Sequence, residues 1–93
     1  MAELPTDAEI ESRLKGIEWT REGEEIVREW KFKDFAEAIG FVNQVADAAE
    51  TANHHPDILV HGWNNVRLSL TNHSAGGLTE ADFEIARKFD TLA

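Results

Sequence analysis

Cysteine is absent from all 93 residues, and so is tyrosine; proline occurs twice and methionine once. Without cysteine the chain has no disulfide staples, no thiolate metal site and no thiol nucleophile, which suits a reducing compartment. Long apolar runs are missing too. Nothing approaches the ~20 consecutive apolar residues that cross a bilayer. The opening stretch "MAELPTDAEIE" is acidic and lacks the apolar segment of a secretion signal, so a cytoplasmic protein is expected. Basic residues are the third shortage. Nine Lys and Arg stand against 18 Asp and Glu, a net charge of −9. They are scattered, so no footprint for a phosphate backbone forms and direct nucleic-acid binding is not expected. No block of like charge appears either, and the carboxylates read as a solvated surface.

What is present suffices for one small domain spanning residues 1–93, 42% of them apolar. A chain of this size buries only about 60–65% of its unfolded surface, a thin margin that small domains often widen by self-association. Three tryptophans and five phenylalanines supply anchors for an interface or a pocket.

Three helix starts share one signature, an N-cap residue with an acid three positions on: Thr6 with Glu9, Asp34 with Glu37, and Thr79 with Asp82. Around the third, Leu78 and Phe83 occupy the positions of a hydrophobic staple. Phe35, Ala38, Ile39, Val42, Val45, Ala46, Ala49 and Ala52 draw an apolar stripe on a 3.6-residue period. Pro56 predicts an end to that helix by about His55. A last helix is expected from Thr79 to about Leu92, with Phe83, Ala86 and Phe89 inward.

Between the helices lie strands. Ile17 and Trp19 lead into a turn at Gly23. Ile26, Arg28, Trp30 and Phe32 then alternate with Val27, Glu29 and Lys31. "ILVHGW" and "VRLSLTNH" form a hairpin joined at Asn64-Asn65, residues that tolerate positive φ. A two-residue turn there would put Ile58 and Val60 on the face opposite Val66, Leu68 and Leu70, so a β-bulge is predicted near His61-Gly62. The order αββαββα predicts an α+β domain: a four-stranded antiparallel sheet with three helices packed on one face. Arg67, Ser69, Thr71 and His73 mark its polar face.

All four histidines, His54, His55, His61 and His73, fall between Glu50 and His73. On a continuing helix Glu50 and His54 would share a face. The carboxylate and the helix C-terminus would then both favour the imidazolium, making His54 an acid; a solvent-exposed ion pair is the plainer reading. His55 points about 100° away. Two splayed imidazoles suit flanking a ligand better than sharing an ion. A zinc site of His54, His55 and His73 also lacks the i,i+4 histidine pair common on helices, so no metal is expected. His61 reads as an exposed strand residue. Gly76 and Gly77 either let backbone approach a substrate or simply turn the chain. Asp82 is a helix cap, a site residue, or both. No nucleophile elbow and no phosphate-cradling loop is present. Acid–base chemistry without a cofactor remains.

"ETANHHPDI", Trp63 and "TNHSAGGLTEADF" closely resemble the pterin-4a-carbinolamine dehydratases. That family's signature is met by Glu50, His54, His55, Pro56, Trp63, His73 and Asp82, and the likeness extends through "GIEW" and "WKFKDFAEAIGFVNQVADAAE". One departure is the spacing from Pro56 to Trp63, one residue longer than in many members. The resemblance implies a sheet that joins edge to edge in a homodimer, often extended to a tetramer. It implies a lyase that removes water from 4a-hydroxytetrahydropterin to give quinonoid dihydropterin, within tetrahydrobiopterin recycling. His54, His55 and His73 match the catalytic histidines; Glu50, Trp63 and Asp82 match binding or supporting positions. His54, supported by Glu50, and His73 are expected to exchange the protons, with His55 orienting the ring. The alternative is a non-enzymatic dimerisation or regulatory module of the same fold.

Overall fold

The computed structural model describes residues 4–93. Its elements run α1 (Asp7–Leu14), β1 (Thr20–Glu22), β2 (Glu25–Lys31), α2 (Phe35–Ala52), β3 (Asp57–His61), β4 (Asn65–Leu70) and α3 (Glu80–Asp90). The αββαββα order is the expected one. The sheet order is β1-β2-β4-β3, antiparallel throughout, so β1 and β3 are its edges.

Register decides which side chains meet the helices. Trp30 stands opposite Val66, which stands opposite Val60; Arg28, Leu68 and Ile58 form the next row, followed by Ile26 and Leu70. Most of these pack with Ala38, Phe41, Val45 and Ala49 of α2 and Phe83, Ala86 and Phe89 of α3 in one core. Aromatic rings knit its centre: Trp30 lies 5.7 Å edge-on from Trp19 and 4.8 Å from Phe41, which is 5.1 Å from Phe32. Leu78 and Phe83, the staple pair, are fully enclosed.

All three N-terminal signatures are realised. Thr6 Oγ1 accepts from Glu9 N, Asp34 Oδ1 accepts from Glu37 N, and Asp82 Oδ2 accepts from Thr79 N. The apolar stripe of α2, however, is centred differently from the sequence reading. Phe41 is buried, whereas Phe35 is 54% exposed and Ala46 and Ala52 face solvent. The helix carries more apolar residues than one face can bury, so periodicity alone could not choose the inward arc.

The helix ends at Ala52, within the bound set by Pro56, because Asn53 takes the left-handed conformation (φ 51°) and ends it. One further expectation is corrected, in the β3–β4 hairpin. No bulge interrupts the ladder, which is regular through His61↔Asn65. The extra residue sits in a three-residue turn, Gly62–Trp63–Asn64, whose positive φ values belong to Gly62 and Trp63 rather than to the asparagines. Ile58 and Val60 do reach the apolar side, by turn length instead of a bulge.

Candidate functional site

Helix α2 ends at Asn53, and the placement of His54 and His55 follows from that. With Asn53 left-handed, His54 no longer continues the helical spiral, and the expected Glu50–His54 pair does not form. His54 reaches α3 instead: its Nε2 lies 2.6 Å from Asp82 Oδ1. A carboxylate only accepts, so Nε2 is the donor and Nδ1 is the nitrogen left over. The same carboxylate accepts through Oδ2 from Thr79 N at 2.8 Å and Thr79 Oγ1 at 3.2 Å. Asp82 is wholly buried, so these three donors replace the water it has lost. It is therefore a helix cap and a histidine partner together.

His55, one residue on, takes the carboxylate expected for its neighbour. Its Nε2 lies 2.7 Å from Glu50 Oε1, with both side chains more than half exposed. The contact is as short as the first but is screened by water, and it orients the ring more than it stabilises the fold. His61, at the far end of β3, pairs with Glu29 at 2.7 Å.

His73 follows β4 in a turn drawn together by Asn72, whose carbonyl accepts from Ala75, Gly76 and Gly77. Gly76 has φ 83°, and a Cβ on Gly77 would stand 2.6 Å from Glu24 Oε2. Both glycines thus have conformational or packing reasons of their own. The His73 ring is exposed and lines a cleft of about 320 Å³ with Glu24, Glu25, Asp57, Thr71 and the two glycines. Asp57 opens β3 two residues after His55, and His73 follows the end of β4; His55 itself is not among the residues that line the cleft.

A larger groove, about 630 Å³, runs between α2 and α3, walled by Ala48, Ala52, Ile85 and Leu92 and reached by His54. His54 and His73 therefore line different cavities. The smaller cleft is the better candidate for proton chemistry, because it combines an imidazole with three carboxylates where the groove is mostly apolar. Trp63 joins neither: it sits 61% exposed at the hairpin tip, the length of β3 away. Among the described residues no three His, Asp or Glu side chains are grouped to share an ion, and no helix is long and apolar enough to cross a membrane. Sequence reasoning passed over Glu24, Glu25 and Asp57. The only signal for Asp57 was its place directly behind His-His-Pro.

An αββαββα domain with three helices on a four-stranded antiparallel sheet, carrying its imidazole–carboxylate pairs at the end of α2 and along β3, defines a class of small α+β protein. Comparison gives the class its family. The chain belongs to the pterin 4 alpha carbinolamine dehydratase family, whose model matches residues 3–92. A Picosynechococcus sp. protein is 48% identical over 99% of this chain and all of its own length. A Thermomicrobium roseum protein is 52% identical over 94% of both; each is provisionally named a pterin-4-alpha-carbinolamine dehydratase. The crystal structure of a transcriptional coactivator/pterin dehydratase from Brucella melitensis superposes with a TM-score of 0.91 at 37% identity, covering 98% of this chain and 99% of that one. A pterin dehydratase-like protein identified as a RuBisCO assembly factor in the alpha-carboxysome gives 0.69 at 26% identity, covering 81% and 88%.

Proposed function

We propose that this chain is a 4a-hydroxytetrahydropterin dehydratase working by histidine acid–base catalysis, and that it acts as a homo-oligomer. The reaction breaks the bond from C4a to its hydroxyl and forms a double bond from C4a to N5. One proton goes to the departing hydroxyl and one leaves N5, so water and quinonoid dihydropterin result. Groups that titrate near neutrality serve both transfers, each typically supplying 10²–10⁴-fold.

The observation carrying this reading is the His73 imidazole in a carboxylate-lined cleft at the sheet end, with His55, oriented by Glu50, two residues before the cleft's Asp57 in sequence. His55, its Nε2 held by Glu50, and His73 exchange the protons. His54, tied to buried Asp82, fixes the backbone that aims His55. This departs from the sequence expectation, which gave the protons to His54 and His73; those two rings line separate cavities. Glu24, Glu25 and Asp57 offer acceptors to the amino and N–H donors along the edge of a pterin.

The test is a dehydration assay with a metal chelator present. His55→Ala and His73→Ala should each lower the rate at least tenfold while the fold stays intact, since both residues are exposed. Full activity in either variant removes that residue from the chemistry. Turnover abolished by the chelator points to a metal, and a wild-type protein without turnover points to a binding module.

A further inference from the structure

Two turns wall the carboxylate-lined cleft. One joins β1 to β2 at Gly23-Glu24; the other, Asn72 to Gly77, follows β4 and carries His73. Thr71 ties the first to the end of β4, its Oγ1 donating to the backbone carbonyl of Glu24 at 2.6 Å. Thr71 stands two residues before His73, so Glu24 and His73 share one frame.

Among the described residues, Glu24 is the one cleft carboxylate whose side chain has a holder. Arg21 Nη2 lies 3.3 Å from its Oε1, and Arg21 donates in addition to Asp7 Oδ1 and to the Gly23 carbonyl, both at 2.8 Å. At so exposed a position the pairing adds little stability, but it sets where the carboxylate stands. Glu25 and Asp57 have no comparable partner among those residues.

Gly77 completes the arrangement. A φ of 83° explains glycine at position 76, whereas Gly77 is not in the positive-φ region. What a side chain at Gly77 would meet is Glu24: its Cβ would lie 2.6 Å from Oε2, closer than a real contact allows. The missing side chain therefore leaves room for that carboxylate oxygen. Among the described residues Oε2 accepts no hydrogen bond, so its lone pairs are free for a ligand.

A carboxylate steered into space kept open by a glycine suits a ligand with two donors side by side. The pyrimidine edge of a pterin presents that pair, its 2-amino group next to N3–H. The cleft, about 320 Å³, lies at the small end of the range for ligand pockets, which fits a bicyclic ring. Resting on the dehydratase reading above, we propose that Glu24 recognises this edge and makes the site specific for 2-amino heterocycles, with Gly77 as a positioning residue. Each carboxylate oxygen has two lone pairs, so Oε1 keeps Arg21 while the two oxygens accept the two donors. A 2-oxo ring would set a carbonyl against the carboxylate instead.

Binding of 6-methyl-7,8-dihydropterin and of its 2-oxo counterpart, 6-methyl-7,8-dihydrolumazine, tests this without requiring turnover. The intact protein should hold the 2-amino ring at least about tenfold more tightly. Glu24→Gln should weaken dihydropterin binding about tenfold and bring the two ligands within roughly threefold, because an amide can donate to the 2-oxo group. Gly77→Ala should fold normally, since the atom it displaces is the end of a flexible side chain, and should lose the preference in the same way. A purely structural Glu24 would weaken both ligands equally and leave their ratio unchanged, which overturns the proposal. So does an intact protein that binds both rings alike, or a full preference surviving in Gly77→Ala. A protein that dehydrates the 4a-hydroxy substrate but fails these comparisons keeps the dehydratase reading and loses this role for Glu24. One that selects the 2-amino ring through Glu24 yet never turns over keeps the role and loses the dehydratase reading. Neither binding nor turnover removes both.

Discussion

Two helices of this protein begin with nearly the same four residues, Thr6-Asp7-Ala8-Glu9 and Thr79-Glu80-Ala81-Asp82, and the two starts come to different ends. At α1, Glu9 Oε1 accepts from Thr6 N at 3.0 Å, Thr6 Oγ1 accepts from Glu9 N at 3.2 Å, and both side chains stand in solvent. At α3, Asp82 accepts from Thr79 N at 2.8 Å but is fully enclosed, and its second oxygen is taken by His54, 28 residues earlier. A cap occupies one carboxylate oxygen. Whether the other meets water or a distant side chain depends on what the fold lays over the helix start. The sequence motif is the same, but at α3 the Thr79 hydroxyl donates to Asp82 instead of accepting from the backbone, and the tertiary setting adds a histidine partner.

Removing each carboxylate should expose that difference. Asp82→Ala leaves the Thr79 N–H and the His54 ring without their buried partner and should cost about 2–4 kcal/mol. For a domain of this size that lowers Tm by roughly 10–25 °C. Thermal or urea unfolding measures it, and a loss near zero would mean that the enclosed pair carries no stability. Asp82→Asn is the finer probe. An amide keeps the volume and one acceptor oxygen, so it can serve Thr79 or His54 but not both as acceptor. A loss of about 1–2 kcal/mol is expected, with dehydration falling several-fold because the backbone that aims His55 is less firmly held. Unchanged kcat in a stably folded Asp82→Asn would restrict Asp82 to capping.

The same contrast explains how much was legible beforehand. Caps, staple and strand alternation depend on neighbours in sequence, and Thr6, Asp34, Leu78, Asp82 and Phe83 all behave as their spacing indicates. The family signature located the histidines but not their partners. Glu50 lies four residues from His54 and five from His55; a left-handed Asn53 was enough to exchange one for the other. Spacing on an assumed helix cannot register a single residue that leaves it. The hairpin shows the same limit. The conflict of faces was visible in the sequence, and the need for one extra residue was correct. A bulge and a longer turn satisfy that count equally, and only the conformation of Gly62 and Trp63 distinguishes them. Long-range choices such as His54 with Asp82 leave no local trace at all.

The smallest expected effect belongs to the exposed member of the pair. Glu9 accepts hydrogen bonds from the Thr6 backbone, and that donor holds its carboxyl below the usual glutamate range. A carboxyl depressed in the folded state favours folding above its ordinary pKa, near 4.3, and loses that contribution as pH falls toward the folded value. Acidification through this window should loosen the first turn of α1 before the rest of the molecule responds, because Asp82 is enclosed and Glu9 is not. Side-chain NMR titration of Glu9, followed with amide exchange at Thr6 and Glu9, reads the event directly. Glu9→Gln should remove the pH dependence of the protection factors, the exchange rates taken relative to their intrinsic values at each pH, while leaving the global Tm within scatter. If α1 instead holds its protection through the titration, the exposed box adds nothing to the helix start, and propensity with Ile10 packing in the core accounts for it alone.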